Sequence, residues 1–142
     1  MKTNMKKLPF IISAALLSAA SLTLNAAKPQ AAGEPAIEFA QTSHDFGTIA
    51  EKGGPVKHEF IFTNTGDAPL MVLTASASCG CTRPEYPKKP IAPGKSGKIK
   101  VTYLPEGRPG EFTKTVTVKT NAKAKNQKKV TLKIKGFVNP AK

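Results

Sequence analysis

The sequence predicts an all-β domain, and three of its features lead to that fold class. After residue 36, apolar and polar residues alternate with a period of two in most segments, which is typical of strands with one buried face. Clusters of Gly, Pro, Asn and Asp interrupt these segments about every 8 to 12 residues. Beyond the N-terminal segment, no stretch has the periodicity of an amphipathic helix. We therefore expect a domain made of short strands.

The predicted strands follow one another at regular intervals. The clearest is the segment 56–63, in which Val56, His58, Phe60 and Phe62 share one face. A half-buried antiparallel strand has this alternation. The full set of predicted strands lies at residues 37–39, 43–49, 56–63, 70–77, 98–104, 112–120 and 130–138.

Three further segments depart from simple alternation. Residues 70–77 are largely apolar at both parities, which predicts a strand in the interior of a sheet. Three prolines in 83–90 predict a surface loop or an edge crossing, and 121–129 is a lysine-rich loop. About seven to eight short antiparallel strands in one domain are typical of an immunoglobulin-like β-sandwich.

The N-terminus predicts export. Lys2, Lys6 and Lys7 precede an apolar run at 8–24, and small residues follow at Ala26 and Ala27, as in a secretory signal peptide. The sequence therefore predicts a periplasmic or secreted protein without a membrane span after signal cleavage. The predicted domains are a signal peptide at 1–27, a flexible lead-in at 28–36 and the sandwich at 37–139.

The charge of the chain limits its partners. Removing the three lysines of the signal peptide from the net charge of +13 leaves +10. Arg83 and Arg108 are the only arginines, and tryptophan is absent, whereas nucleic-acid readers favour arginine forks and stacking aromatics. We therefore expect no nucleic-acid partner. An anionic surface in the envelope is compatible with this charge, as is a lysine coat that keeps the domain soluble.

Cys79 and Cys81 form the most reactive cluster of the sequence, and three states are open to them. Gly80 between them permits a tight local disulfide in an oxidising compartment; such a disulfide, or two small buried cysteines, would have no chemical function. Two thiolates also suit Cu(I) or half of a zinc site, with His58 or Met71 as a further ligand. Thiol redox chemistry is the third possibility. The chain lacks the Cys-x-x-Cys arrangement that lowers a thiol pKa at a helix N-terminus.

The remaining candidates for catalysis are weak. A nucleophile constellation of Cys79, a histidine such as His44, and Asp45 would need the fold to bring distant segments together. The nine acidic residues never cluster, so the sequence gives no support for paired-carboxylate hydrolysis. The sequence predicts a non-enzymatic protein with no cofactor, and with copper or zinc only as the alternative.

Short motifs give the chain a family resemblance over about residues 39–138, and they lie at 44–49, 62–66, 78–82, 91–97, 110–112 and 136–138. It resembles a family of small secreted bacterial proteins of unknown function, itself similar to the immunoglobulin-like hydin, major sperm protein and PapD-like domains. The resemblance implies this fold and export, and it carries over no activity. By analogy with the related eukaryotic domains, it favours a protein-interaction module of the cell envelope; the alternative is a copper-binding or thiol-redox protein.

Overall fold

A computed structural model describes residues 33–142 of the chain. The predicted signal peptide and residues 28–32 of the predicted lead-in lie outside the described residues. Eight strands and one helical turn follow in order: β1 (Ile37–Phe39), β2 (Ser43–Ala50), β3 (Val56–Asn64), β4 (Val72–Ala77), β5 (Thr82–Glu85), β6 (Ser96–Tyr103), β7 (Gly110–Thr120), α1 (Lys125–Lys128) and β8 (Lys129–Asn139).

The strands form two four-stranded sheets, which confirms the predicted β-sandwich. Sheet 1 has the order β1-β3-β6-β5, and sheet 2 has the order β2-β8-β7-β4. Consecutive strands β7 and β8 pair as an antiparallel hairpin, whereas β4 and β5 lie in different sheets. The segment between β4 and β5, which contains both cysteines, therefore crosses from one sheet to the other.

One strand pair differs from the antiparallel prediction. β1 pairs antiparallel with β3, but β2 pairs parallel with β8. Only residues 40–42 separate β1 from β2. This short bend moves the chain to the other sheet, where β8 runs in the same direction as β2. The N-terminal strand is thus divided between the two sheets, and it closes one lateral side of the sandwich.

The core lies between the sheets and is built by the inward faces that the alternation predicts. Tyr103 of β6 stacks on Phe112 of β7 with ring centroids 3.9 Å apart, so this pair joins the two sheets. Burying a large apolar side chain contributes about 1.5 to 3 kcal/mol. The fully buried apolar side chains with the largest volumes are Tyr103, Phe60, Phe62, Leu70, Ile99, Leu132, Ile134, Val101, Val116, Val118 and Val138.

Asn64 is the polar centre of one end of the core. It is completely buried, and its Nδ2 donates to the carbonyls of Ala68 and Ile91 at 2.8 and 2.9 Å. Its Oδ1 accepts the backbone N–H of Gly66 at 3.0 Å and that of Ala36 at 3.5 Å. One side chain therefore ties the chain entering β1 to the β3–β4 turn and to the segment before β6.

The prediction that 70–77 lies inside a sheet is wrong. β4 is the edge strand of sheet 2 and pairs only with β7. A register shift between Val72 and Thr74 places an extra residue, Leu73, in the strand. Val72 faces the core before this bulge and Ala75 after it, so the buried parity changes. This change, not burial on both faces, makes the segment apolar at both parities.

The structure defines three smaller segments more closely than the sequence does. β5 passes through the proline-rich segment and contains Pro84, and it lies at the edge of sheet 1, where a proline is tolerated. A single turn of helix, α1, lies within the predicted lysine-rich loop. Within the predicted lead-in, the carbonyls of Glu34 and Ala36 accept N–H groups of the β3–β4 turn, so the described part of the lead-in is attached to the sandwich.

Among residues 33–142, no helix has the length and apolar character that a membrane crossing requires.

Candidate functional site

The cysteine pair lies where the chain leaves sheet 2 and enters sheet 1. Ser78 prolongs the pairing of β4, because its N–H donates to the carbonyl of Thr115 at 2.9 Å. Thr82 is the first residue of β5. The crossing is therefore only three residues long. Within this crossing, the φ angle of Gly80 is not positive, and a Cβ atom at this position would meet open space. Neither the backbone conformation nor the available space therefore requires a glycine here.

The sulfur atoms of Cys79 and Cys81 are bonded to each other in the structure. Cys81 is 3% exposed and belongs to the core, whereas Cys79 is only partly buried. The carbonyl of Cys81 accepts the N–H of Leu104 at 2.9 Å, which fixes the crossing against the strand after β6. Because a bonded sulfur is not a thiolate, metal binding would first require reduction of this bond.

The other predicted soft-metal ligands lie away from the cysteines. Met71 precedes β4 and Cys79 follows it, so about 20 Å of extended strand separates them. His58 stacks on His44 of β2, at the lateral side opposite β5. Across the described part of the chain, no group of three or more His, Cys, Asp and Glu side chains is placed to hold a metal ion. The copper, zinc and thiol-redox hypotheses remain predictions.

The two histidines form a stacked pair that joins the sheets. The His44 and His58 rings are 3.7 Å apart with an interplanar angle of 7°, and the Gln41 Nε2 lies 2.8 Å from the His58 Nε2. An amide nitrogen can only donate, so this contact requires an unprotonated His58 Nε2. Burial lowers the pKa of His58 below 6.5, the charge of His44 lowers it further, and Glu59 opposes the shift.

The lowered pKa of His58 predicts that the folded protein loses stability at acidic pH. The unfolded chain binds a proton at His58 more readily than the folded chain does. The contribution of His58 is therefore present above about pH 6.5 and is lost as the pH falls through the lowered folded pKa. We expect the thermal unfolding midpoint to fall between about pH 7 and pH 5, and His58→Gln to reduce this slope. An unchanged slope in His58→Gln would contradict this assignment.

The free edge of β4 is a second candidate surface, and sequence reasoning missed its position. Leu73 is 51% exposed and Met71 38% exposed, although both are large apolar residues. The Tyr86 hydroxyl donates to the Leu73 carbonyl at 3.4 Å. The available signal was the largely apolar segment at 70–77. Such a segment does not distinguish an interior strand from an edge strand with a bulge.

A shallow groove of about 570 Å³ lies on the outer face of sheet 1. Ile61 is 42% exposed in it, and Tyr86 and Ile91 add apolar lining. Lys98 and Lys100 line it as well, and they form ion pairs with Glu59 at 2.8 Å and Glu85 at 3.0 Å. The groove is therefore apolar with its cations neutralised. None of the predicted site residues Cys79, Cys81, His58 or Met71 lines it.

Comparison with known sequences gives one family match. A model of a protein family described as "Protein of unknown function (DUF1573)" matches residues 37–138, which are the residues of the sandwich. Among curated proteins, no sequence matches the chain.

Solved structures match the fold at low sequence identity. A protein of unknown function from Porphyromonas gingivalis is 16% identical, with a TM-score of 0.62 over 72% of this chain and 46% of that one. The VesB protease of Vibrio cholerae is 15% identical, with a TM-score of 0.56 over 73% of this chain and 32% of the protease. The chain thus matches less than half of either protein, and at this identity the likeness concerns the fold alone.

A human domain matches over its whole length. The ASH / PapD-like domain 7 of human CEP192 is 15% identical, with a TM-score of 0.57 over 98% of this chain and 100% of the domain. This match supports the predicted likeness to PapD-like domains at the level of fold.

Proposed function

This chain belongs to the DUF1573 family of proteins of unknown function, and we propose that it is an exported, non-enzymatic domain that binds an extended segment of a partner protein along the free edge of β4. The observation that supports this proposal is the unprotected state of that edge. An exposed edge strand presents unpaired N–H and C=O groups, which can pair with another chain. Strand addition of this kind is a common mode of peptide recognition.

The other sheet edges carry protective features that β4 lacks. β5 has only four residues, and Pro84 stands between the charged Arg83 and Glu85. β1 has only three residues, and β2 is irregular between Asp45 and Thr48, with Gly47 at positive φ. Short strands, prolines, charges and bulges all discourage edge pairing. β4 has a bulge at Leu73, but its six residues include no charge and no proline.

The pairing of β4 with β7 determines which backbone groups are free. Because the Ser78 N–H bonds β7, alternation directs the backbone groups of Thr74 and Ser76 to β7 as well. The N–H and C=O groups of Ala75 and Ala77 therefore point away from sheet 2. These four groups are spaced to pair with every second residue of an added strand.

Exposed Leu73 supplies an apolar anchor beside these backbone groups. Its side chain lies at the bulge, one position from Thr74, and is half exposed. The Leu73 carbonyl already accepts a hydrogen bond from Tyr86, so the available edge extends from Ala75 toward the cysteine crossing. The partner we propose is an extended, uncharged segment of an exported protein, with a pocket or apolar residue that accepts Leu73.

A matched pair of lysine variants tests this proposal. Leu73→Lys and Ile61→Lys each place one charge at an exposed apolar residue, on the β4 edge and in the sheet 1 groove respectively. Proteins captured from envelope extract by the parent chain are expected to bind Leu73→Lys about tenfold more weakly, since the variant loses an apolar contact. Ile61→Lys should bind as the parent does. Loss of capture with Ile61→Lys alone would move the docking site to the groove and overturn the proposal.

A further inference from the structure

The C-terminal part of the chain carries only positive charges after Glu111, and the proposed binding at the β4 edge does not use them. Glu111 is the last acidic residue, and nine lysines follow it. β7 and β8 carry most of these lysines and are the two inner strands of sheet 2. Since both strands have neighbours on each side, their backbone groups are paired, and only their outward side chains are available to a ligand.

The strand register arranges these side chains in four rows on the outer face of sheet 2. Lys119 lies opposite Lys129, and Thr117 lies opposite Thr131 in the next row. Thr115 opposite Lys133 and Thr113 opposite Lys135 complete the set. We call these eight residues the threonine–lysine strip. It extends for about 20 Å along the strands.

The cations of the strip are poorly neutralised. Lys119 and Lys129 are direct cross-strand partners, and like charges in that position are destabilising. Within residues 33–142, Lys135 is the only one of the four strip lysines with an acidic partner, Asp45, at 3.5 Å. In contrast, Lys98 and Lys100 on sheet 1 are both paired with glutamates. The β7–β8 connection adds the exposed Lys123, Lys125 and Lys128.

We propose that the threonine–lysine strip binds an anionic polysaccharide that carries carboxylate groups. The charge complementarity is direct, and the threonine hydroxyls can bond both carboxylates and sugar hydroxyls. The strip contains no apolar side chain that could enter a lipid bilayer. It also contains no arginine and no aromatic ring for reading or stacking nucleic-acid bases. A polar strip of this length therefore fits an extended glycan better than a membrane or a nucleic acid.

Two triple variants of equal charge test the strip. Lys119→Gln/Lys129→Gln/Lys133→Gln neutralises the strip, and Lys52→Gln/Lys57→Gln/Lys95→Gln removes three exposed lysines outside it. The probe is polygalacturonate at an ionic strength of about 0.15 M, with neutral dextran as the uncharged control. We expect the strip variant to bind polygalacturonate about tenfold more weakly than the parent, and the control variant to change the affinity less than about threefold.

The outcomes separate this site from a general charge effect. Equal losses in the two triple variants would show that only net charge matters and would overturn the proposal. Tighter binding to phosphatidylglycerol vesicles than to polygalacturonate would overturn the glycan as occupant. The strip variant should keep or raise the thermal midpoint, since it removes the repulsion between Lys119 and Lys129. A binding loss is therefore expected in a folded protein.

Discussion

Asn64→Ala is expected to lower the free energy of unfolding by about 3 to 5 kcal/mol, because it removes the four hydrogen bonds of a completely buried side chain. The carbonyl of Ala68 loses a donor and the N–H of Gly66 loses its acceptor, while the carbonyl of Ile91 keeps only the N–H of Leu70. These groups lie in two separate segments of the chain, the β3–β4 turn and the segment before β6. Denaturant unfolding monitored by circular dichroism measures the loss.

A neighbouring polar residue is the control for this variant. Thr63 precedes Asn64 in β3, and its hydroxyl makes one exposed contact to Ser96 at 3.0 Å. Thr63→Ala is therefore expected to cost less than about 1 kcal/mol. Asn64→Asp keeps an acceptor for Gly66 but loses both donated bonds and buries a charge, so it should not restore stability. A cost below about 1 kcal/mol for Asn64→Ala would contradict the role given to this side chain.

Proline substitutions at two adjacent positions of β4 are expected to differ strongly in their effect on stability. The Thr74 N–H points to β7, so Thr74→Pro removes a ladder hydrogen bond and should cost about 3 kcal/mol or more. The Ala75 N–H points to the free edge, so Ala75→Pro should leave the stability within about 1 kcal/mol of the parent. Thermal unfolding of the two variants measures this difference.

Partner binding is expected to respond to Ala75→Pro although the stability does not. Ala75→Pro is expected to weaken capture about tenfold while the protein stays folded, since an added strand loses a donor and meets the proline ring. Equal destabilisation by the two prolines would show that the register of β4 is assigned incorrectly. Unchanged capture by Ala75→Pro would place the partner elsewhere on the domain.

Much of the sandwich was predictable because its strands have one buried face. In β3, Phe60 and Phe62 alternate with exposed positions as the sequence predicts, and the same holds for Leu132 and Ile134 in β8. Local alternation is sufficient there, because the face that a residue occupies in a regular strand depends only on its position along that strand. The parallel pairing of β2 with β8 depends on the bend between β1 and β2, and the alternation of apolar residues does not indicate that bend.

The candidate surfaces were less predictable because they depend on contacts between distant segments. Leu73 looks like an interior residue until the bulge in β4 changes the parity of the strand. Asn64 has the composition of an ordinary turn residue, and its burial follows only from how the β1 entry and Ile91 pack around it. Lys119 and Lys129 are ten residues apart, and the hairpin register brings them opposite each other.

For the cysteine pair, the sequence spacing permits a local bond but does not indicate how deeply each cysteine is buried. Two cysteines separated by one glycine permit a local bond, and the structure places the two sulfur atoms in such a bond. The sequence did not indicate that Cys81 lies in the core while Cys79 is only partly buried. That difference arises because the crossing turns from sheet 2 into sheet 1 between these residues, and the turn is a property of the whole sandwich.

Backbone amide hydrogen exchange at Ala75 and Ala77 tests strand addition at β4 most directly. In the free protein, we expect both amides to exchange quickly, because they face the open edge, whereas the Ser78 amide, bonded to Thr115, should be protected. Addition of a captured partner should slow exchange at Ala75 and Ala77 strongly. A complex that forms while both amides continue to exchange as in the free protein would contradict the proposed function.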